Sequence, residues 1–214
     1  MAASLPIVKP VSQIQLTAGS VVTIPNVSWN EFEAILQEFG EKRTSRIAYY
    51  QESLQIMVSL PEHEISKDLI SDLVKILLKA KGKKYQPFGS TTFKKPGVAG
   101  IEPDACFYID NYQSIIGRRR LQPDDPPPDL AIEIDVNSKT TLEAYEAIAI
   151  PELWIYNNSK LVIYLLTNGK YNQSPTSAIF PDIPITQIIP SAVARSWQVG
   201  SFQALEEFTL MMNK

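Results

Sequence analysis

The sequence predicts a mixed-sheet α/β (α+β) domain. Leu130 to Tyr156 reads strand, helix, strand, the pattern of a right-handed parallel crossover. "RIAYYQESLQIMVS" reads as a hairpin, which adds antiparallel strands. Between these units, Pro61 to Ala80 carries apolar residues at the helical period.

Along the chain, residues 1–20 form an irregular N-terminal segment and residues 21–214 form one domain. "VVTIPNVSWNEFEAILQEFG" gives a short strand and then a helix. Ser28 and Glu31 have capping-box spacing at its start, and Gly40 stops it. The hairpin strands are Arg46 to Tyr50 and Leu54 to Val58, with "QES" as the turn. The long helix places Ile65, Leu69, Leu73, Ile76 and Leu77 on its core side, and "KGKK" ends it with charge suited to the helix dipole. "YQPFGSTTFKKP" is a strand interrupted by glycine, and "IEPDACFYI" is a strand opened by proline. Asp110 to Pro128 is a loop containing "GRRR" and "PDDPPP". "DLAIEIDV" is a strand, Thr140 to Ala149 a helix, "ELWIYN" a strand and "KLVIYLLTNGKY" a strand plus turn. Ile185 to Ile189 reads as a short edge strand, and Ser191 to Met212 as helical in part.

Composition narrows the function classes. The 214 residues are 44% hydrophobic and 20% charged, the profile of a globular chain able to bury a sizeable core. The formal charge of -3 argues against a broadly cationic surface but leaves room for a local basic groove. The single cysteine, Cys106, cannot form an intrachain disulfide, so a reducing cytoplasmic setting is expected. No run approaches the ~18–20 apolar residues of a membrane span, so no membrane partner is expected. One histidine, His63, and one cysteine do not make a zinc site of the usual kind. No nucleophile elbow and no Gly-rich phosphate loop is present.

The chemistry concentrates in "PPPDLAIEIDVNSKTT". Alternation puts Leu130, Ile132, Ile134 and Val136 on one face of the strand, and Ala131, Glu133 and Asp135 on the other. Two adjacent carboxylates on an internal strand lose hydration and repel each other, so something must compensate. A divalent cation does so economically, and hard oxygen donors suit magnesium, with manganese as a second choice. The alternative is a solvated sheet face. Asp104, sharing a face with Cys106 and Tyr108, offers a further carboxylate, or else simply begins its strand. Lys139, six residues after Glu133, either swings back to position water and brace phosphate charge or is a solvated turn lysine. Thr140 and Glu143 have the spacing to cap the helix that follows.

"EPDACFYI", "PPPDLAIEIDVNSKT" and "YEAIAIPELWIYN", in that order and spacing, resemble the bacterial Uma2 family, over roughly Trp29 to Leu166. That family is placed in the PD-(D/E)XK, restriction-endonuclease-like superfamily. The resemblance implies a central mixed sheet flanked by helices and a metal-dependent nuclease site with Asp104 and Glu133 as metal ligands. The superfamily pattern has lysine two residues after the second acid. Here Asp135 stands there, so Lys139 would be a migrated lysine. The superfamily often adds an acid from the first core helix. Glu62 is the candidate, although Ser59 and Glu62 also have capping-box spacing.

The expected activity is magnesium- or manganese-dependent hydrolysis of phosphodiester bonds in nucleic acid, most naturally DNA. Asp104 and Glu133 would hold the metal with Asp135 assisting. A non-catalytic interaction module of the same fold and a hydrolase of small phosphoesters are the rival readings. Phosphate contacts would come from Lys79, Lys81, Lys83 and Lys84, from Lys94 and Lys95, or from Arg118 to Arg120. Two-strand cleavage needs two sites, so a homodimer is expected. Trp154, Tyr156 and Tyr164 read as core residues rather than base-stacking platforms.

Overall fold

The computed structural model describes residues 10–40, 45–89, 91–122, 124–134 and 139–213. The chain opens with a 3-10 turn, Val11–Gln13, then strand β1, Val21–Ile24, and helix α1, Trp29–Phe39. The α1 start is a complete capping box. Ser28 N–H donates to Glu31 Oε2 at 2.8 Å, and Glu31 N–H donates to Ser28 Oγ at 3.3 Å. Strands β2, Ser45–Tyr50, and β3, Ser53–Val58, form the expected hairpin. Its turn is the pair Gln51–Glu52, with φ of 43° and 61°, the left-handed conformation that matches the twist of the flanking strands.

Helix α2, Pro61–Ala80, spans the predicted residues. Its buried stripe is Ser66, Leu69, Ile70, Leu73, Val74, Leu77 and Leu78. Ile65 lies off that stripe at 43% exposure, because the stripe begins one residue later than predicted.

The next segment departs from the predicted strands. "YQPFGSTTFKKP" divides into β4, Gln86–Pro87, and β5, Phe93–Lys95, which lie in different sheets. "IEPDACFYI" is likewise split between β6, Ala99–Ile101, and β7, Ala105–Tyr108. The chain changes sheets across Glu102, Pro103 and Asp104. Pro103 has no N–H for a ladder bond, so it suits the break. The following loop contains a short helix, α3, Tyr112–Ile115, anchored by buried Ile115.

Then come β8, Leu130–Ile134, α4, Lys139–Ile148, β9, Glu152–Asn157, β10, Lys160–Thr167, and β11, Lys170–Ser174. Helices α5, Ile185–Val199, and α6, Ser201–Met212, complete the described chain. Ile185 to Ile189 therefore begins a helix rather than forming an edge strand. Ile185, Ile189, Ala192, Val193 and Ser196 are buried at helical spacing. Pro190 lies inside the helix, and packing along that stripe outweighs the hydrogen bond it forfeits.

Two sheets result. The first runs β1-β3-β2-β6-β5 and is antiparallel throughout. The second runs β11-β10-β9-β8-β7-β4 and is the predicted mixed sheet. Its one parallel pair is β8–β9, in register from Leu130↔Glu152 to Ile134↔Tyr156. Among the described residues, the buried side chains form three apolar clusters. One joins α1 to the first sheet. A second fills the space between the sheets, around Ala144 and Tyr145 of α4. The third joins the outer face of the second sheet to α2, α5 and α6. Trp154 and Tyr156 are core residues of that third cluster. Among the described residues no helix is long and apolar enough to cross a membrane.

Helix α1 approaches the first sheet over Gly100. A Cβ there would stand 2.5 Å from Phe32 Cζ, inside van der Waals contact. Gly100→Ala is expected to lower stability by about 1–3 kcal/mol through overpacking. Denaturant melting checks this, and an unchanged midpoint would show that the helix yields freely.

Candidate active site

The space between the sheets receives residues of alternating orientation from each strand. In β8, Leu130, Ile132 and Ile134 join the outer cluster, while Ala131 joins the inner one, so Glu133 points inward, as predicted. Glu133 is 2% exposed. The antiparallel pairing of β7 and β8 sets Ala105 opposite Ile132. Asp104 immediately precedes β7, one register step from the level of Glu133. Ile134 N–H donates to Asp104 Oδ2 at 2.7 Å, which fixes this approach. The sheet change at Pro103 and the strand alternation of β8 thus bring the two acids together.

The positive charge facing them is Arg46. In β2, Ile47 and Tyr49 face α1, whereas Ala48 packs in the inner cluster, so Arg46 also points between the sheets. Its guanidinium forms an ion pair with Asp104 and reaches Glu64 of α2 at 3.4 Å. The side chain of Asp104 is 7% exposed and that of Arg46 20%.

Glu133 accepts a hydrogen bond from the Tyr145 hydroxyl of α4. Burial raises its pKa from 4.5 to about 7, against the opposing pull of the Tyr145 hydroxyl and the Arg46 charge. Burial, followed by the neighbouring Glu133 charge, pushes the Tyr145 phenol well above its ordinary range. Burial also favours neutral Glu64, but hydrogen bonding and charge from Lys67, then Arg46, outweigh it and lower its pKa.

Other buried acids are satisfied differently. Glu152 accepts from Trp154 Nε1 at 2.5 Å and from the amides of Ala178 and Ile179 at 2.9 and 3.2 Å. Asp129 accepts from the amides of Ile109, Asp110 and Asn111 at 2.6, 3.0 and 3.3 Å. Each staples a turn to a strand end, the expected work of a structural carboxylate. Asp104 accepts a single amide and pairs with Arg46, and Glu133 accepts from the Tyr145 hydroxyl.

Above Arg46 and Asp104 an open groove of about 1260 Å³ is lined by Glu64, Lys67, Lys94, Glu102, Arg119 and Arg120, among others. Of the predicted basic runs, Lys94 and the Arg119–Arg120 pair reach this groove, and the lysines at the end of α2 do not line it. Lys94 is bound to Glu33 at 2.9 Å, and Arg118 to Asp125 at 3.1 Å.

The other predicted site residues fare differently. Asp135 lies outside the described residues. Lys139 is the first residue of α4, but its side chain lies outside the described residues. Thr140 falls inside α4 rather than at its N-cap. Glu62 is exposed in the first turn of α2 and does not line the groove. Glu64, two residues on, lines the groove. The N-cap of α2 is Leu60, with no side-chain cap, so the Ser59–Glu62 capping box does not form. Glu64 stands beside Glu62 in "SLPEHEISKDL" and Tyr145 opens "YEAIAIPELWIYN", but neither the ion pair of Arg46 nor the Tyr145 bond to Glu133 is visible in the sequence. An arginine within the otherwise apolar run "RIAYY" was the available signal.

Asp104 at the start of β7 and Glu133 in β8 offer hard oxygen donors. That set fits magnesium or manganese, which retain waters and need few protein ligands. Among the described residues, no cluster of three or more His, Cys, Asp or Glu residues forms a fuller cage.

A family model described as Uma2, putative restriction endonuclease, matches residues 29–198. Among solved structures, the chain is similar to a putative nuclease belonging to DUF820 from Anabaena variabilis ATCC 29413. The two are 15% identical, with 84% of this chain and 99% of that chain covered and a TM-score of 0.48. No curated protein matches the chain.

Proposed function

The chain belongs to the Uma2 family of putative restriction endonucleases, and from that premise we propose that it hydrolyses phosphodiester bonds in nucleic acid, DNA foremost, with magnesium or manganese. The observation that carries this reading is Asp104, lining a groove whose wall bears Arg119 and Arg120, with buried Glu133 one register step beyond the Ala105–Ile132 pair behind it. Asp104 and Glu133 would hold the cation. Asp135 enters this reading from strand alternation, and Lys139 from its spacing and as a migrated family lysine. The chemistry supplied by such a cation, when bound, is polarisation of a phosphoryl oxygen and acidification of water.

The chain's own residues do the positioning. The Ile134 amide orients Asp104, and the Tyr145 hydroxyl orients Glu133. Arg119 and Arg120 hold the phosphate backbone along the groove. Cleavage of both strands of a duplex requires two such sites, so a second copy of the chain belongs to the proposal.

The test is hydrolysis of linear and supercoiled DNA with magnesium, manganese or chelator, beside binding to a labelled duplex in chelator. Hydrolysis is expected with either metal and not in chelator. Arg119→Ala with Arg120→Ala should weaken binding and flatten its log–log salt dependence by about 2. No hydrolysis with either metal, on DNA or RNA, would leave the chain a non-catalytic module of the same fold.

A further inference from the structure

Arg46 stands among three carboxylates supplied by three parts of the fold. It pairs directly with Asp104 at the sheet change and lies 3.4 Å from Glu64 on α2. Its charge also acts on Glu133 of β8. One oxygen of Asp104 is occupied by the Ile134 amide, while the other meets Arg46. A guanidinium on the remaining oxygen of Asp104 competes with a divalent cation there, because two positive charges on one carboxylate repel each other. The groove opens directly above Arg46, so the long side chain has somewhere to go.

We propose that Arg46 is the resident counter-cation of the Asp104–Glu133 pair and exchanges with the divalent cation. Without metal, the guanidinium pairs with Asp104 and ties the two sheets together at this point. When metal binds, the guanidinium leaves Asp104 for the groove, on the side where Arg119 and Arg120 lie. Arg46 therefore sets a threshold for metal binding. This inference rests on the nuclease reading for the identity of the cation, and on the ion pair for the exchange itself.

The test measures manganese binding by titration calorimetry and by the loss of free-manganese EPR signal, without nucleic acid. The proteins are the full chain, Arg46→Met and Arg46→Lys, each checked for folding by circular dichroism. Arg46→Met removes the charge but keeps an unbranched stem. It is expected to bind manganese about tenfold or more tightly than the parent. Arg46→Lys, which lacks the planar fork, should fall between them. Should Arg46→Met not fold, tighter binding by Arg46→Lys carries the test. Equal or weaker binding by the folded variants overturns the exchange. If the parent nevertheless hydrolyses DNA in a metal-dependent way, the functional reading survives that result. No manganese binding by parent or variants at millimolar metal, with no hydrolysis, overturns both.

Discussion

Glu133→Gln is expected to abolish metal-dependent hydrolysis and, in chelator, to make the protein more stable above neutral pH. Both results follow from a carboxylate held between the sheets. Glutamine keeps the shape and still accepts from Tyr145, but it contributes no anionic oxygen to a cation.

The stability effect has a definite sign. Burial raises the Glu133 pKa from 4.5 to about 7. The folded chain therefore holds this proton more tightly than the unfolded chain. The associated stability is fully present below pH 4.5 and is lost as pH rises to about 7, after which it changes no further. A shift of this size corresponds to about 3 kcal/mol. Urea melts of parent and Glu133→Gln should coincide near pH 4.5 and diverge up to pH 7, with the variant more stable. Parallel curves across that window would mean that Glu133 is ionised at no cost, already neutralised by Arg46. Cation binding requires the carboxylate form, so manganese affinity of the parent should rise over the same window.

The parts legible in sequence share one property: a regular local pattern. Strand alternation placed Glu133 on an inward face, the capping box began α1 at Trp29, and helical periodicity set the bounds of α2. What escaped depends on contacts distant in sequence. "IEPDACFYI" is apolar throughout, and nothing local reveals that its two halves belong to different sheets. That division makes the site, because it turns Asp104 from a strand start into the corner between sheets. The α5 segment misled because Ile185, Ile188 and Ile189 favour strands and Pro190 argues against a helix. Its burial against the second sheet decides otherwise. The sequence points to a metal to compensate Glu133 and Asp135. For Asp104 the protein supplies a counter-charge of its own, Arg46, from a residue 58 positions earlier. A side chain drawn from another sheet leaves no trace in the spacing around "EIDV".

That compensation makes Asp104 the other position of large effect. Asp104→Ala removes the direct partner of Arg46 and the acceptor of the Ile134 amide together. Breaking a buried ion pair from one side leaves an uncompensated charge, which costs about 3–5 kcal/mol. Asp104→Asn keeps an acceptor for the amide and should cost less, while losing cation binding equally. The origin of the loss can be separated with a third variant. If the orphaned guanidinium is the main cost, Asp104→Ala with Arg46→Met should be more stable than Asp104→Ala alone, although two residues are changed. Urea midpoints of the single and double variants decide it. A double variant as unstable as the sum of its parts would place the cost in the Ile134 amide and the sheet corner. A recovered double variant that still binds no manganese would show that Asp104 serves the fold through Arg46 and the cation through its own charge.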